Sequence, residues 1–209
     1  MRQYTLSDRL IGQLDRALNL AFPTKITAYP QDLSAEQRLD QQEIALSEAL
    51  MRVNHSGEIA AQALYHGQAA MARAPDVAAV MRQSAQEEND HLTWCKQRVN
   101  ELGGHTSYLE PLWYAGSYGI GLLAGLVGDK FSLGFIAETE RQVSEHLAGH
   151  LRILPEHDET SRKILTRMKA DEERHGSLAM AKGGVELPRP VKFLMKCCAK
   201  VMTRTAFWI

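Results

Sequence analysis

Two segments of this 209-residue chain read Glu-x-x-His: Glu88-Asn89-Asp90-His91 and Glu172-Glu173-Arg174-His175. Residues three apart share a helix face, so each pair aims a carboxylate and an imidazole at one point. Apolar spacing identifies the face. Val77, Val80, Met81, Ser84, Leu92, Cys95 and Val99 fall on the stripe of Glu88 and His91, and Ile164, Leu165, Met168 and Ala179 on that of Glu172 and His175. Both pairs are therefore expected to face a core, where an unpartnered carboxylate is costly. Two isolated carboxylates sit on similar stripes. Glu58 lines up with Leu50, Val53, Ala61, Leu64 and Tyr65; Glu140 lines up with Leu133, Ile136, Val143, Leu147 and Leu151. Glu138 competes with Glu140 but falls off the stripe, and Glu87, Asp90, Glu138, Glu145 and Glu173 are assigned to polar faces.

The six residues form an internal repeat. Glu58 precedes Glu88-x-x-His91 by 30 residues, and Glu140 precedes Glu172-x-x-His175 by 32. Two copies of a helix hairpin about a pseudo-twofold axis bring four carboxylates and two imidazoles together. Four ionised carboxylates are balanced by two divalent cations, and carboxylate plus imidazole without thiolate suits iron or manganese. One Glu-x-x-His arises by chance on surface helices. Two in phase with two lone core-facing glutamates do not.

The elements that must position these groups are helical. Proline is scarce, Ala, Leu, Glu, Gln, Arg and Met dominate the stretches between prolines, and β-type alternation is almost absent. Helices are expected over 7–20, 34–73, 76–102, from the apolar stretch after Pro111 to 154, over 159–182, and after Pro190. The fold class is all-α: a four-helix bundle with a long crossover, plus N-terminal and C-terminal accessory helices. The expected division is an accessory segment 1–33, the bundle 34–184, and an amphipathic surface helix 185–209.

Composition bounds the partners. Hydrophobic residues make up 44% and charged residues 23%, a globular balance. The net charge of -1 argues against a nucleic-acid binder. Cys95, Cys197 and Cys198 form no CxxC for zinc, a dithiol or a rubredoxin-like iron site. The N-terminal residues lack the apolar core of a secretory signal, so the cytoplasm or its membrane face is expected. Gly119-Ile-Gly121-Leu-Leu-Ala124 matches a dinucleotide fingerprint in letters only, since it follows no strand.

Two segments point to a membrane. Residues 111–128 carry no charge but only reach the lower limit of a span, which fits a membrane-dipping surface or a buried crossover. In the last segment Lys192, Lys196, Lys200 and Arg204 form one stripe, opposite Leu194, Met195, Cys198, Val201, Met202 and Ile209. That pattern is an interfacial helix on an anionic leaflet, with docking on a partner subunit as the alternative.

From about residue 34 onward, Asn54-His55-Ser56-Gly57-Glu58, Glu88-x-x-His91, Ala137-Glu138-Thr139-Glu140 and Asp171-Glu172-Glu173-Arg174-His175 together resemble the demethoxyubiquinone hydroxylase family of ubiquinone biosynthesis. The resemblance implies a ferritin-like bundle with two irons per chain that activates O2 and hydroxylates the ring of demethoxyubiquinol. It implies Glu58 and His91 on one iron, Glu140 and His175 on the other, Glu88 and Glu172 bridging, and His146 as a nearby histidine outside the ligand set. It further implies an external reductant such as NADH, contact with membrane lipid and other ubiquinone-biosynthesis proteins, and a peripheral place on the cytoplasmic face of the inner cell membrane. The rival readings are an iron-storage ferritin, a rubrerythrin, a tRNA-modifying hydroxylase, and a non-enzymatic membrane scaffold.

Overall fold

A computed structural model describes residues 39–209. The helix expected over 7–20 and the accessory segment 1–33 lie outside the described residues. Six helices follow: α1 (Gln41–Met71), α2 (Pro75–Glu101), α3 (Glu110–Val127), α4 (Asp129–Ile153), α5 (Glu159–Ala181) and α6 (Arg189–Ala206). Their boundaries have local causes. Asp40 caps α1 by accepting from the backbone N–H groups of Gln42 and Glu43, while Glu43 accepts from Asp40 N in return. Pro75 opens α2, where no intrahelical N–H is lost. Asp158 caps α5 through Ser161 N and also accepts from the Arg98 guanidinium at 2.8 Å, fastening the end of α2 to the start of α5.

α1 and α2 form one antiparallel hairpin, and α4 and α5 form the other. The order around the bundle is α1, α2, α5, α4. Two apolar plugs fill it. One holds Leu50, Met51, Trp94, Cys95, Val99, Leu147, Leu154, Ile164, Leu165 and Met168; the other holds Ala61, Tyr65, Val77, Met81, Ala85, Leu133, Ile136 and Ala179. Between them in sequence along every helix sits the Glu and His set. This is a ferritin-like bundle with flanking helices.

The stretch expected as one helix from 111 to 154 is two. Gly128, at φ 136°, occupies a backbone conformation that side-chain-bearing residues rarely adopt, and the chain turns there between α3 and α4. Asp129, the next residue, accepts from Arg73 N and Ala74 N, fixing that turn against the α1–α2 connection. The crossover is thus itself a helix. α3 runs parallel to α1, with Glu110 beside His55, Tyr114 beside His66 and Gly125 beside Gln68 and Met71. Glycine makes this closeness possible. A Cβ on Gly67 would lie 2.8 Å from Leu122 N, and one on Gly121 would collide with the Leu64 carbonyl oxygen.

The outer face of α3 stays exposed at Leu112, Leu123, Leu126 and Val127. α6 lies across α1 and α4. It buries Ala206, turns Val191, Met195 and Met202 partly inward, and leaves Phe193, Leu194, Cys198 and Val201 exposed. Lys192 departs from the expected basic stripe. It turns in toward the bundle, 2.9 Å from Glu186 and 3.6 Å from Glu138. Glu138, expected on a polar face, is buried for the same reason, held by Arg141, Gln142 and Lys192 under the start of α6.

Close α1–α3 packing predicts an asymmetric effect of added methyl groups. Gly121→Ala should lower stability by about 1–3 kcal/mol through overpacking, whereas Gly116→Ala, with nothing near its Cβ, should be neutral or slightly stabilising. Chemical denaturation of the two variants checks this; equal stabilities would contradict the packing.

Candidate metal centre

Each bundle helix carries one part of the constellation. α1 supplies Glu58, α2 supplies Glu88 and His91, α4 supplies Glu140, and α5 supplies Glu172 and His175; all six are buried to 2% exposure or less. Their ligand-type atoms fall into two groups, each within 4.8 Å: Glu58, Glu88, His91 and Glu172 in one, Glu88, Glu140, Glu172 and His175 in the other. Glu88 and Glu172 belong to both. The structure therefore brings together every residue that periodicity had placed on the core stripes.

The imidazoles are oriented alike. His91 Nδ1 points inward, 3.0 Å from Glu88 Oε2 and 3.3 Å from Glu172 Oε1, and its Nε2 lies 3.4 Å from Asp171 Oδ2. His175 Nδ1 lies 3.1 Å from Glu88 Oε1, and its Nε2 is 2.7 Å from Glu87 Oε2. Each histidine of one hairpin is thus tied at its outer nitrogen to a carboxylate of the other. Such a carboxylate fixes ring orientation and tautomer and raises ligand basicity.

Glu87 and Asp171 were not singled out as partners by spacing. The available signal was an acidic residue directly before each Glu-x-x-His. One residue is about 100° of helix rotation, which points away from the core yet toward the neighbouring helix across the α2–α5 seam. Asp171 donates nothing but receives from Arg167 at 2.9 Å and Arg174 at 3.2 Å. The hydrogen bond with His91, helped by the arginines, holds its carboxyl down to about 2. Glu173, by contrast, faces solvent and pairs with Lys169, as expected.

His146 is not in either group. It packs against His150 at a ring separation of 3.9 Å, and burial lowers its pKa. His150 is pushed down to about 3 by burial and by His146, and its Nδ1 meets Asn54 Oδ1 at 2.9 Å. Burial disfavours charge on both rings, which form a polar strip between α1 and α4.

The electrostatics of the six are those of excess negative charge in a dry place. Burial pushes the carboxyls of Glu58 and Glu140 well up, reinforced by neighbouring carboxylates. Glu172 is held low: burial opposes ionisation, but the adjoining Glu140 carboxyl and the His175 and His91 imidazoles outweigh it. Burial likewise opposes charging of the imidazoles, yet surrounding carboxylates raise His91 well up and His175 to about 10. Both oxygens of Glu140 and one each of Glu88 and Glu172 have no hydrogen-bond partner among the described residues. Buried carboxylate oxygens without donors, converging with two imidazole nitrogens, fit two divalent cations. Thiolate is absent from both groups, which favours iron or manganese over structural zinc.

A ferritin-like bundle with a shared four-carboxylate, two-histidine pocket defines the class: a protein of the ferritin-like diiron superfamily. Residues 45–206 match the family described as "Ubiquinone biosynthesis protein COQ7". Curated relatives named 3-demethoxyubiquinol 3-hydroxylase include that of Nitrosococcus oceani, 53% identical over all of this chain and 99% of its own length. Those of Acinetobacter baumannii (52% identical, all of both chains) and Nitrosospira multiformis (53%, covering 97% of this chain and 98% of the relative) agree. This chain belongs to that family.

A divalent cation entering the pocket must displace protons from His175, His91, Glu58 and Glu140. With His175 raised to about 10, those protons are held more tightly as pH falls, so metal affinity should rise between about pH 6 and 8. Competition titrations with a metal-binding dye at several pH values, with proton release followed in weak buffer, check this. A pH-independent affinity with no proton release would contradict it.

Proposed function

We propose that this chain is an O2-dependent monooxygenase that hydroxylates the quinol ring of demethoxyubiquinol during ubiquinone biosynthesis. The observation that carries the reading is the gathering of all six carboxylate and imidazole groups into two overlapping sets within a chain that belongs to the family. In this reading Glu58 and His91 hold one iron, Glu140 and His175 hold the other, and Glu88 and Glu172 bridge. The two irons, when bound, supply the activation of O2. The protein's residues do the rest. Asp171 and Glu87 hold the imidazole rings in register, the two apolar plugs exclude water above and below, and the His146–His150 strip, where burial disfavours charge, lies beside them.

Access for a lipid quinol is supported by one side of the bundle. Ala124 of α3, Phe131 and Phe135 of α4, and Val191 and Met195 of α6 pack in one cluster, so α3 and α6 flank the same α1–α4 side. Their outward residues, Leu123, Leu126, Val127, Phe193, Leu194 and Val201, are all more than half exposed. Among the described residues no helix is long and apolar enough to cross a membrane. We read this side as resting on the lipid surface, with Lys196, Lys200 and Arg204 meeting anionic headgroups on the cytoplasmic face. The reductant, NADH or another donor, and further ubiquinone-biosynthesis proteins belong to the same reading.

Four outcomes are expected. Anaerobic reconstitution should load about two irons per chain, and loss of the chain from a ubiquinone-producing cell should accumulate demethoxyubiquinone. Normal ubiquinone in such a cell would contradict the function. Glu172→Ala should abolish hydroxylation and lower iron content, while Glu173→Ala, exposed beside it, should change neither by more than about twofold. Reversing Lys196, Lys200 and Arg204 to Glu should weaken flotation with anionic vesicles by on the order of tenfold or more. These three are preferred to deleting α6, since Ala206 is buried, Phe207 packs on the core and Lys192 covers Glu138.

A further inference from the structure

The six ligand groups lie inside four helices, so a cation from solvent must pass an end of the bundle or one of its four seams. The two apolar plugs close the ends. Across the α1–α2 seam, Gln62 donates to the Ala85 carbonyl at 3.1 Å and to Asn89 Oδ1 at 2.7 Å. Across the α1–α4 seam, Gln68 donates to the Ser132 carbonyl and His150 meets Asn54, with α3 and α6 packed over the outside. The α2–α5 seam carries a groove, but of the six residues it touches only His91 and His175, whose outer nitrogens lie against Asp171 and Glu87. The α4–α5 seam is different.

A cleft of about 650 Å³ opens there, with Glu140 and Glu172 in its lining. Small residues keep the seam open: Gly134, Ala137 and Ser144 on α4, Gly176 and Ser177 on α5. Gly176 stands beside Glu140, where a Cβ would lie 3.4 Å from the Glu140 Cβ. Both Glu140 oxygens and Oε1 of Glu172 have no hydrogen-bond partner among the described residues, although each residue is only 1% exposed. The mouth above them is acidic. Glu145, Glu173 and Glu186 are 62%, 57% and 81% exposed, and Glu138 lies buried among them. The cations of the lining, Arg141 and Lys192, and Lys169 just outside it, pair with these four carboxylates. Such half-exposed pairs exchange partners at little cost. In all, six carboxylates face two cations in the lining, an excess that draws divalent cations into a narrow cleft.

We propose that the α4–α5 cleft is the route by which ferrous ions load into the bundle, with the mouth carboxylates collecting the hydrated ion and Glu140 and Glu172 as the first ligands it meets. Carboxylate oxygens suit this task, since they can replace the waters of a hydrated divalent cation in steps. Arg141 bridges Glu138 and Glu145 and is the cation that an arriving ion displaces. The inference rests on the two-iron reading above and adds the way the metal reaches its pocket. It also separates two traffics: the lipid quinol is read as arriving on the α3–α6 side, while the water-soluble ion enters between α4 and α5.

Entry and exit by one path share one barrier, so the test measures both. Exit is the anaerobic transfer of iron from the loaded full chain to a coloured ferrous chelator, at chelator concentrations where the rate no longer rises. Entry is uptake of Fe2+ by the same chain after stripping, with final iron content as the control for an intact pocket. Ser177→Trp fills the mouth from an exposed position, and Glu145→Lys combined with Glu173→Lys reverses its charge. Thr166→Trp, exposed in the α2–α5 groove, is the control. Ser177→Trp should slow entry and exit together by about tenfold or more at unchanged final iron content. The charge-reversed chain should slow entry to a similar degree at low salt and approach the wild-type rate at about 0.5 M salt. Wild-type rates in both mouth variants, or equal slowing by Thr166→Trp, would overturn the proposal. Failure of the two-iron reading looks different: the wild-type chain would then load no iron into the six-residue pocket, leaving none to release.

Discussion

Four carboxylates buried within a few ångströms of one another are the constraint around which this bundle is organised. Left as anions in a dry interior they would repel one another and forfeit their hydration, a cost far above the marginal stability of a domain. The protein alone answers with protons, raising Glu58, Glu140, His91 and His175 together. Cations answer it better. The apolar plugs on either side then follow, because they keep solvent out of the pocket and hold the two hairpins in the register that overlaps the two ligand groups.

Much of this was legible in the chain because helical periodicity is a local code. Glu58, Glu88, His91, Glu140, Glu172 and His175 fall in phase with apolar neighbours, and phase survives folding. Features that depend on which helix lies beside which were not legible. Glu138 lies off its own stripe and is buried only because α6 folds over it, and Lys192 leaves the basic stripe to meet it. Glu87 reads as solvent-facing on an isolated helix, yet the α2–α5 seam places it, like Asp171, on the partner hairpin's histidine. The helix break at Gly128 falls at the end of the apolar run, where a glycine among several others gives no sign of its φ.

The crossover shows how one segment meets two demands. A helix that must run beside α1 along its length needs small residues on one face, and Gly121, Ala124 and Gly125 supply them. The same helix carries bulky apolar residues outward at Leu112, Leu123 and Leu126. Its glycines bring backbones together and leave the large side chains on the exposed side. Close packing and the exposed apolar surface thus draw on different faces of one element.

The account stands on the claim that two cations lie between these four helices. Crystals of anaerobically reconstituted protein, measured with anomalous scattering at the iron edge, test it most directly. The account predicts two peaks per chain, about 3.5–4 Å apart, with Glu88 and Glu172 reaching both. A single peak, or metal bound outside the six-residue pocket, would contradict it.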